Sequence, residues 1–210
     1  MIEIDAVLRD MAPYAPGAPE PVMLHHARTA AIEFLRRVQI WRDSDTFDIE
    51  PGDHGIICAP DYAQVHRFTS VTFNGQPLEP VSYAAFNELV RPQSSDPSEP
   101  YIESIPRWYT QAAPNTIKVG PEGRGTLTVK TVLIPTEEAD VLPSFVMEQY
   151  RRDIAAGGLA TLLMLPGQPF TNPELANINA ARFNQRMTEL FSLSLKGQQR
   201  APVRTRARYL

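Results

Sequence analysis

Over the first forty residues, apolar side chains recur at the three-to-four spacing that gathers them on one side of a helix. "IDAVLRDMAPYAP" predicts a short helix stopped by prolines. After the "PGAPEP" turn, "PVMLHHARTAAIEFLRRVQIW" predicts a long one, with Val22, Leu24, Ala27, Ala31, Phe34, Leu35 and Val38 on the buried face. Pro21 suits its first turn, where a missing N–H costs nothing. Past Trp41 the rhythm shifts to short β-leaning runs: "TFDI", "HGIICA", "VHRFTSVTFNG", "IPRWYTQ", "TIKVG" and "GTLTVKTVLI". Phe68/Val71/Phe73 and Leu127/Val129/Thr131/Leu133 carry an imperfect alternation. "NG" at 74–75 and "GPEGRG" at 120–125 have the composition of hairpin turns. Residues 41–135 are therefore expected to form a small antiparallel β unit. Within it, "SYAAFNELV" predicts a short helix, and the polar, proline-rich "RPQSSDPSEP" (91–100) an exposed loop.

The helical rhythm then returns. "EEADVLPSFVMEQYRRDIAAGGLATLLMLPGQPF" predicts a helix between Pro143 and Pro166-Gly167, about 33 Å long at 1.5 Å per residue. "TNPELANINAARFNQRMTELFSLSLKG" predicts a second, capped by Thr171 or Asn172, with Pro173 at its first position. Its stripe is Leu175, Ile178, Ala181, Phe183, Met187, Leu190 and Phe191, and the short connection predicts an antiparallel helical hairpin. The expected fold class is α+β: a helical bundle built from both chain ends (1–40 and 136–195), an inserted antiparallel β domain (41–135) and an extended C-terminal arm (196–210).

Charge adds to this picture. The chain carries −4 overall, yet Lys196, Arg200, Arg204, Arg206 and Arg208 crowd the last 15 residues with no acid among them. The remainder holds 15 basic against 24 acidic residues, so a body of −9 carries a segment of +5. The one cysteine, Cys58 in "GIICAP", excludes an intrachain disulfide framework and reads as a buried, inert thiol in a reducing compartment. The N-terminal "MIEIDAVLRDM" has acids where a signal peptide carries basic residues and is followed by no apolar core, so a cytoplasmic protein is expected. The longest apolar stretch, "IAAGGLATLLML", has 12 residues against the roughly 20 a bilayer span requires, and reads as buried helix.

Candidate chemistry is sparse. The sequence contains no G-x-S-x-G elbow and no P-loop. His25 and His26 are adjacent and point to different helix faces; with His54 and His66 they form no zinc spacing. The acidic run "RDSDTFDIEPGD" (Asp43, Asp45, Asp48, Glu50, Asp53) lacks the Gly and Glu of a calcium loop and reads as a solvated strand edge or a patch facing a partner. "GPEGRG" opens no helix, so it is no phosphate cradle. Gly157-Gly158, inside a predicted helix, implies close approach by another helix, of this chain or a second one.

Taken together, "DMAPYAPGAPEPVMLHHARTAAIEFLRRVQIWRDS", "ADVLPSFVMEQYRRDIAAGGLATLLMLPGQPFTNPELANINAARFNQRM" and the basic tail resemble the head-to-tail adaptor proteins of short-tailed bacteriophages, the tail tubular protein A type. The likeness covers both helical blocks, about half the chain. It implies a structural virion protein of the neck, made in the host cytoplasm, without enzymatic activity, cofactor or metal. It further implies a ring, typically of twelve copies, joining the portal protein to the nozzle or tail-tube proteins and extending the channel through which packaged DNA passes. By the same resemblance, Arg200, Arg204, Arg206, Arg208, Tyr209 and Leu210 dock on the portal, the surface around Gly157 and Gly158 packs neighbouring copies, and the β domain faces the tail.

The arm also has a physical case of its own. Fully extended, residues 197–210 reach roughly 46 Å, and Arg204, Arg206 and Arg208 alternate with Thr205 and Ala207, so a strand would place all three on one side. That pattern suits addition to an open sheet edge. Two other readings compete. One is a nucleic-acid-binding module using the arm, which the −9 body opposes. The other is an enzyme using the acidic run, His54 and a metal.

Overall fold

The structure is a computed structural model that describes residues 1–53, 55–90 and 105–196, with side chains described through Phe191. The expectations for His54, for the loop at 91–100 and for the arm from Arg200 to Leu210 lie outside the described residues. In chain order the elements begin with β1 (Ile2–Glu3), α1 (Leu8–Met11), α2 (Glu20–Val38), β2 (Arg42–Ile49), β3 (Ile56–Ile57), β4 (Ala63–Phe73), β5 (Gln76–Pro77) and β6 (Glu79–Pro80). They continue with α3 (Tyr83–Leu89), β7 (Trp108–Thr110), β8 (Thr116–Gly120), β9 (Gly125–Pro135), β10 (Val141–Leu142), α4 (Ser144–Leu162) and α5 (Pro173–Lys196). The fold is α+β, and the chain divides into two compact units, residues 1–41 with 134–210, and residues 42–133.

The described residues of the first unit are mainly helical and include the antiparallel pair β1 and β10, where Ile2 faces Leu142. Proline limits α1 to one turn, with 3₁₀ turns on both sides. In α2, Gln39 takes the left-handed conformation (φ 57°) and donates its N–H to Leu35 O at 2.9 Å, while Arg36 and Arg37 meet the negative helix end. The buried face of α2 is Met23, Ala27, Ala30, Ala31, Phe34, Leu35 and Val38; Val22 and Leu24, expected there, are only half-buried. Met23 lies one turn before Ala27, and Ala30 one turn before Phe34, so the face runs between the two residues first assigned to it.

Helix α4 packs along both α2 and α5. Gly157 meets Phe183 and Asp153 meets Arg186, the reversed order of an antiparallel hairpin. The cap of α5 is Asn172, whose Oδ1 accepts the Leu175 N–H at 3.1 Å; Thr171 instead accepts the Gln168 N–H within the connection. The α5 stripe also differs from expectation. Ala176, Phe183, Met187 and Leu190 are buried, whereas Ile178 is 60% exposed and Ala181 and Phe191 are exposed. Within this unit α5 packs along one side, and Ile178 sits about 200° around the helix from Ala176.

The second unit holds two sheets among the described residues, ordered β2-β9-β4-β5 and β3-β8-β7-β6. Pairing is antiparallel except for β6 with β7, a short parallel pair of Glu79 with Trp108 and Pro80 with Tyr109. Strand β2 runs in unbroken register on β9, from Arg42 opposite Val132 to Ile49 opposite Gly125. The Asn74-Gly75 turn forms as expected, with both residues at positive φ (47° and 80°) and Phe73 opposite Gln76.

"GPEGRG" is not a hairpin turn. It carries the chain from β8 in one sheet to β9 in the other. Its outer glycines serve close packing instead: a Cβ at Gly120 would lie 2.5 Å from Val90 and 2.8 Å from Phe86, and one at Gly125 would lie 2.7 Å from Phe73. Side chains from both sheets share one core: Ile49, Val71, Phe73, Leu127 and Val129 from the first, Ile117 and Val119 from the second, closed by Cys58 and Leu78.

Candidate functional site

The Gly157-Gly158 step is buried inside the helical unit. A Cβ on Gly157 would sit 2.7 Å from the Phe183 ring and 3.0 Å from Ala30; one on Gly158 would sit 2.9 Å from Met11 and 3.4 Å from the Ala27 backbone. The helices that require these glycines are therefore α1, α2 and α5 of the same chain. Both glycines are thus covered from within the chain, by Phe183 and Ala30 at Gly157 and by Met11 and Ala27 at Gly158.

The histidines separate by role. His26 Nδ1 lies 2.7 Å from Thr161 Oγ1, joining α2 to α4, and its pKa is held below the ordinary value by burial and then by neighbouring His25. His25 is exposed and meets His26 edge to face. Cys58 is 1% exposed; burial, then the charge of Asp45, pushes its thiol up to about 12, so it stays protonated and unreactive near neutrality. Among the described residues no group of three or more His, Cys, Asp or Glu is arranged to hold a metal ion.

The acidic run divides in two. Asp53 accepts the Glu50 N–H at 2.8 Å and so closes the turn after β2, and Glu50 pairs with Arg124 at 3.6 Å. Asp43, Asp45 and Asp48 lie along β2 itself. Asp43 accepts the N–H of Ser44 at 2.9 Å, and Asp48 accepts the Thr126 hydroxyl at 3.0 Å. Burial, and secondarily the like charge of Asp43, raises the pKa of Asp45. Asp43 and Asp45 point to the same half-buried side as Phe47, while Ser44, Thr46 and Asp48 point to solvent.

The strand-edge reading of the run holds for these three acids, since β2 ends its sheet. The alternation in "DSDTFDI" was the signal: it sorts three acids onto the two sides of one strand at the end of a sheet. The basic segment begins where α5 ends, at Lys196. Among the described residues no helix is long and apolar enough to cross a membrane. Comparison of the chain with protein-family models and with curated proteins returns no match in either case.

Proposed function

We propose that this chain is a structural adaptor of a short-tailed phage neck: one copy of a ring, likened to rings of twelve, that joins the portal protein to nozzle or tail-tube proteins and extends the DNA channel. In this reading the helices from both chain ends form a bundle, the β domain is an insertion that meets the tail, and residues 196–210 are an arm that docks on the portal. The supporting observation is the charge segregation, a +5 segment on a −9 body, with the segment continuing directly from a 24-residue helix. A body that repels phosphate suits a channel wall through which DNA slides without sequence-specific contact. Arginine–carboxylate bonds contribute about 1.5–3 kcal/mol each, and repetition round a ring turns modest attachment into lasting attachment.

The test is electron microscopy or native mass spectrometry of the chain mixed with the portal protein encoded in the same genome. Ring assembly on the portal is expected, with loss of binding when residues 197–210 are deleted; undiminished binding by the shortened chain would refute the arm assignment.

The arginine cluster alone favours a second reading, a nucleic-acid-binding module. It requires duplex DNA affinity that falls with salt at a slope of about 0.9 per neutralised phosphate. No binding at low salt ends it.

A further inference from the structure

We infer that the outer edge of β2 accepts residues 203–209 ("VRTRARY") of a second copy of this chain as an added strand. Strand β2 ends the order β2-β9-β4-β5, and among the described residues no strand lies on its other side. Its eight residues are in register with β9 throughout, so the edge is long and free of bulges.

The direction in which its backbone groups point can be worked out. Thr126 of β9 gives its carbonyl to the Asn74 N–H at 2.8 Å and its N–H to Asn74 Oδ1 at 2.8 Å, so its backbone faces β4. Its partner on β2, Asp48, therefore belongs to a non-hydrogen-bonded pair, and alternation gives Thr46 and Ser44 the same status. Two side-chain contacts agree with this: Asp48 with Thr126 at 3.0 Å, and Thr46 with Thr128 at 3.4 Å. The N–H and C=O groups of Ser44, Thr46 and Asp48 thus point to the open edge, where the Ser44 N–H is given to the neighbouring Asp43 carboxylate.

An open edge invites any passing strand, and charge is a common way to restrict it. Asp43 and Asp45 on one side and Asp48 on the other repel a second β2 edge, because pairing would oppose like charges. The same acids favour a strand with cations at every second position. Residues 203–209 provide that strand: Arg204, Arg206 and Arg208 fall on one side, Thr205, Ala207 and Tyr209 on the other, with no acid among them. Laid against β2 with its arginines on the Asp43 side, the segment brings guanidinium groups to two acids whose mutual repulsion is already felt at Asp45. Residues 197–209 extended cover roughly 43 Å, a reach suited to a neighbouring copy. One copy's segment on the next copy's edge is a head-to-tail contact, the kind that closes into rings.

The inference does not rest on the adaptor reading. Within that reading, the β2 edge holds the segment on a neighbour until a portal competes for it.

The experiment mixes nitrogen-15-labelled and unlabelled full-length chains carrying a photo-crosslinking amino acid in place of Ala207, with no portal present. Crosslinks between heavy and light copies that map to residues 42–49 are expected. Their yield should fall roughly tenfold or more in Arg204→Glu/Arg206→Glu/Arg208→Glu, and likewise in Asp43→Asn/Asp45→Asn, which preserves side-chain size. A urea midpoint that does not fall in either variant assigns the loss to docking. Crosslinks that stay within one copy, map elsewhere or ignore both sets of substitutions would overturn the inference. Portal binding measured separately distinguishes its failure from failure of the adaptor reading.

Discussion

The two units of this chain treat charge differently. In the helical unit, acids meet arginines from other elements: Arg28 of α2 with Asp140, Arg151 of α4 with Asp10 of α1 at 2.6 Å, and Arg186 of α5 with Asp153 of α4 at 3.4 Å. In the β unit Arg124 pairs with Glu50 at 3.6 Å, both about two-thirds exposed or more, while Asp43 and Asp48 of β2 take hydrogen bonds from neutral donors. Exposed pairs contribute little to stability. The contrast therefore concerns what each unit has left to offer a partner. The helices compensate their charge where they approach one another. The sheet keeps an excess at its edge, where a cation from outside can meet it.

If the helical unit is complete in itself, the side chain at its tightest crossing should matter most. Phe183 is 5% exposed, stacks on Phe34 at 6.2 Å between ring centroids, and fills the space over Gly157. Phe183→Ala is expected to cost about 4 kcal/mol in urea unfolding, removing the ring's burial and leaving a cavity between α2, α4 and α5. A loss below about 1 kcal/mol would mean that the crossing collapses easily and that the glycines have another purpose.

The glycines then provide a paired test. Alanine at either position gains about 1 kcal/mol of helix propensity. At Gly157 the new methyl would meet the buried Phe183 ring at 2.7 Å and Ala30 Cβ at 3.0 Å, neither of which is the far end of a flexible side chain. Gly157→Ala is therefore expected to be destabilising by about 1–2 kcal/mol net. At Gly158 the nearest atoms are the terminal methyl and sulfur of Met11, at 2.9 and 3.1 Å, and a methionine can swing away. Gly158→Ala should fall within about 0.5 kcal/mol of the unaltered chain. Equal denaturant midpoints for the two variants would contradict the packing described.

The same two residues show how far local pattern carries. Consecutive glycines in a helix announced a close helix contact from sequence alone, but the contacting residues, Ala30 and Phe183, are 127 and 26 positions away. No local signal could say that they belong to the same chain. Periodicity likewise identified α2 and α5 as helices yet placed their buried faces imperfectly. Val22 and Ile178 are as apolar as true core residues, and only the neighbouring helices decide which stripe is covered. In the β unit, turn chemistry was a good guide at Asn74-Gly75, where positive φ at two successive positions leaves few alternatives. It misled at "GPEGRG", because glycine demanded by packing under Phe86 and beside Phe73 has the same composition as glycine demanded by a turn. The acidic run could be read as a strand edge from its alternation. Which β2 backbone groups face outward depends on Asn74 pairing with Thr126, 52 residues away in sequence.

The smallest effect tests the β side of the contrast. Burial, and then Asp43, hold the Asp45 carboxyl above the usual carboxylate range. A carboxyl whose pKa is higher in the folded than in the unfolded chain lowers stability when ionised, and that cost vanishes once pH falls below the unfolded value. Asp45→Asn should therefore raise the thermal midpoint at neutral pH, by the equivalent of less than about 1 kcal/mol because the group is only half-buried and solvent screens it. The gain should fade towards about pH 3, where the native carboxyl is protonated in both states. Added salt should remove the share that comes from Asp43 and leave the share that comes from burial. Were Asp45→Asn destabilising at neutral pH, the carboxylate would have a stabilising partner within the folded chain, and the excess charge at the β2 edge would already be spent rather than open to a second copy.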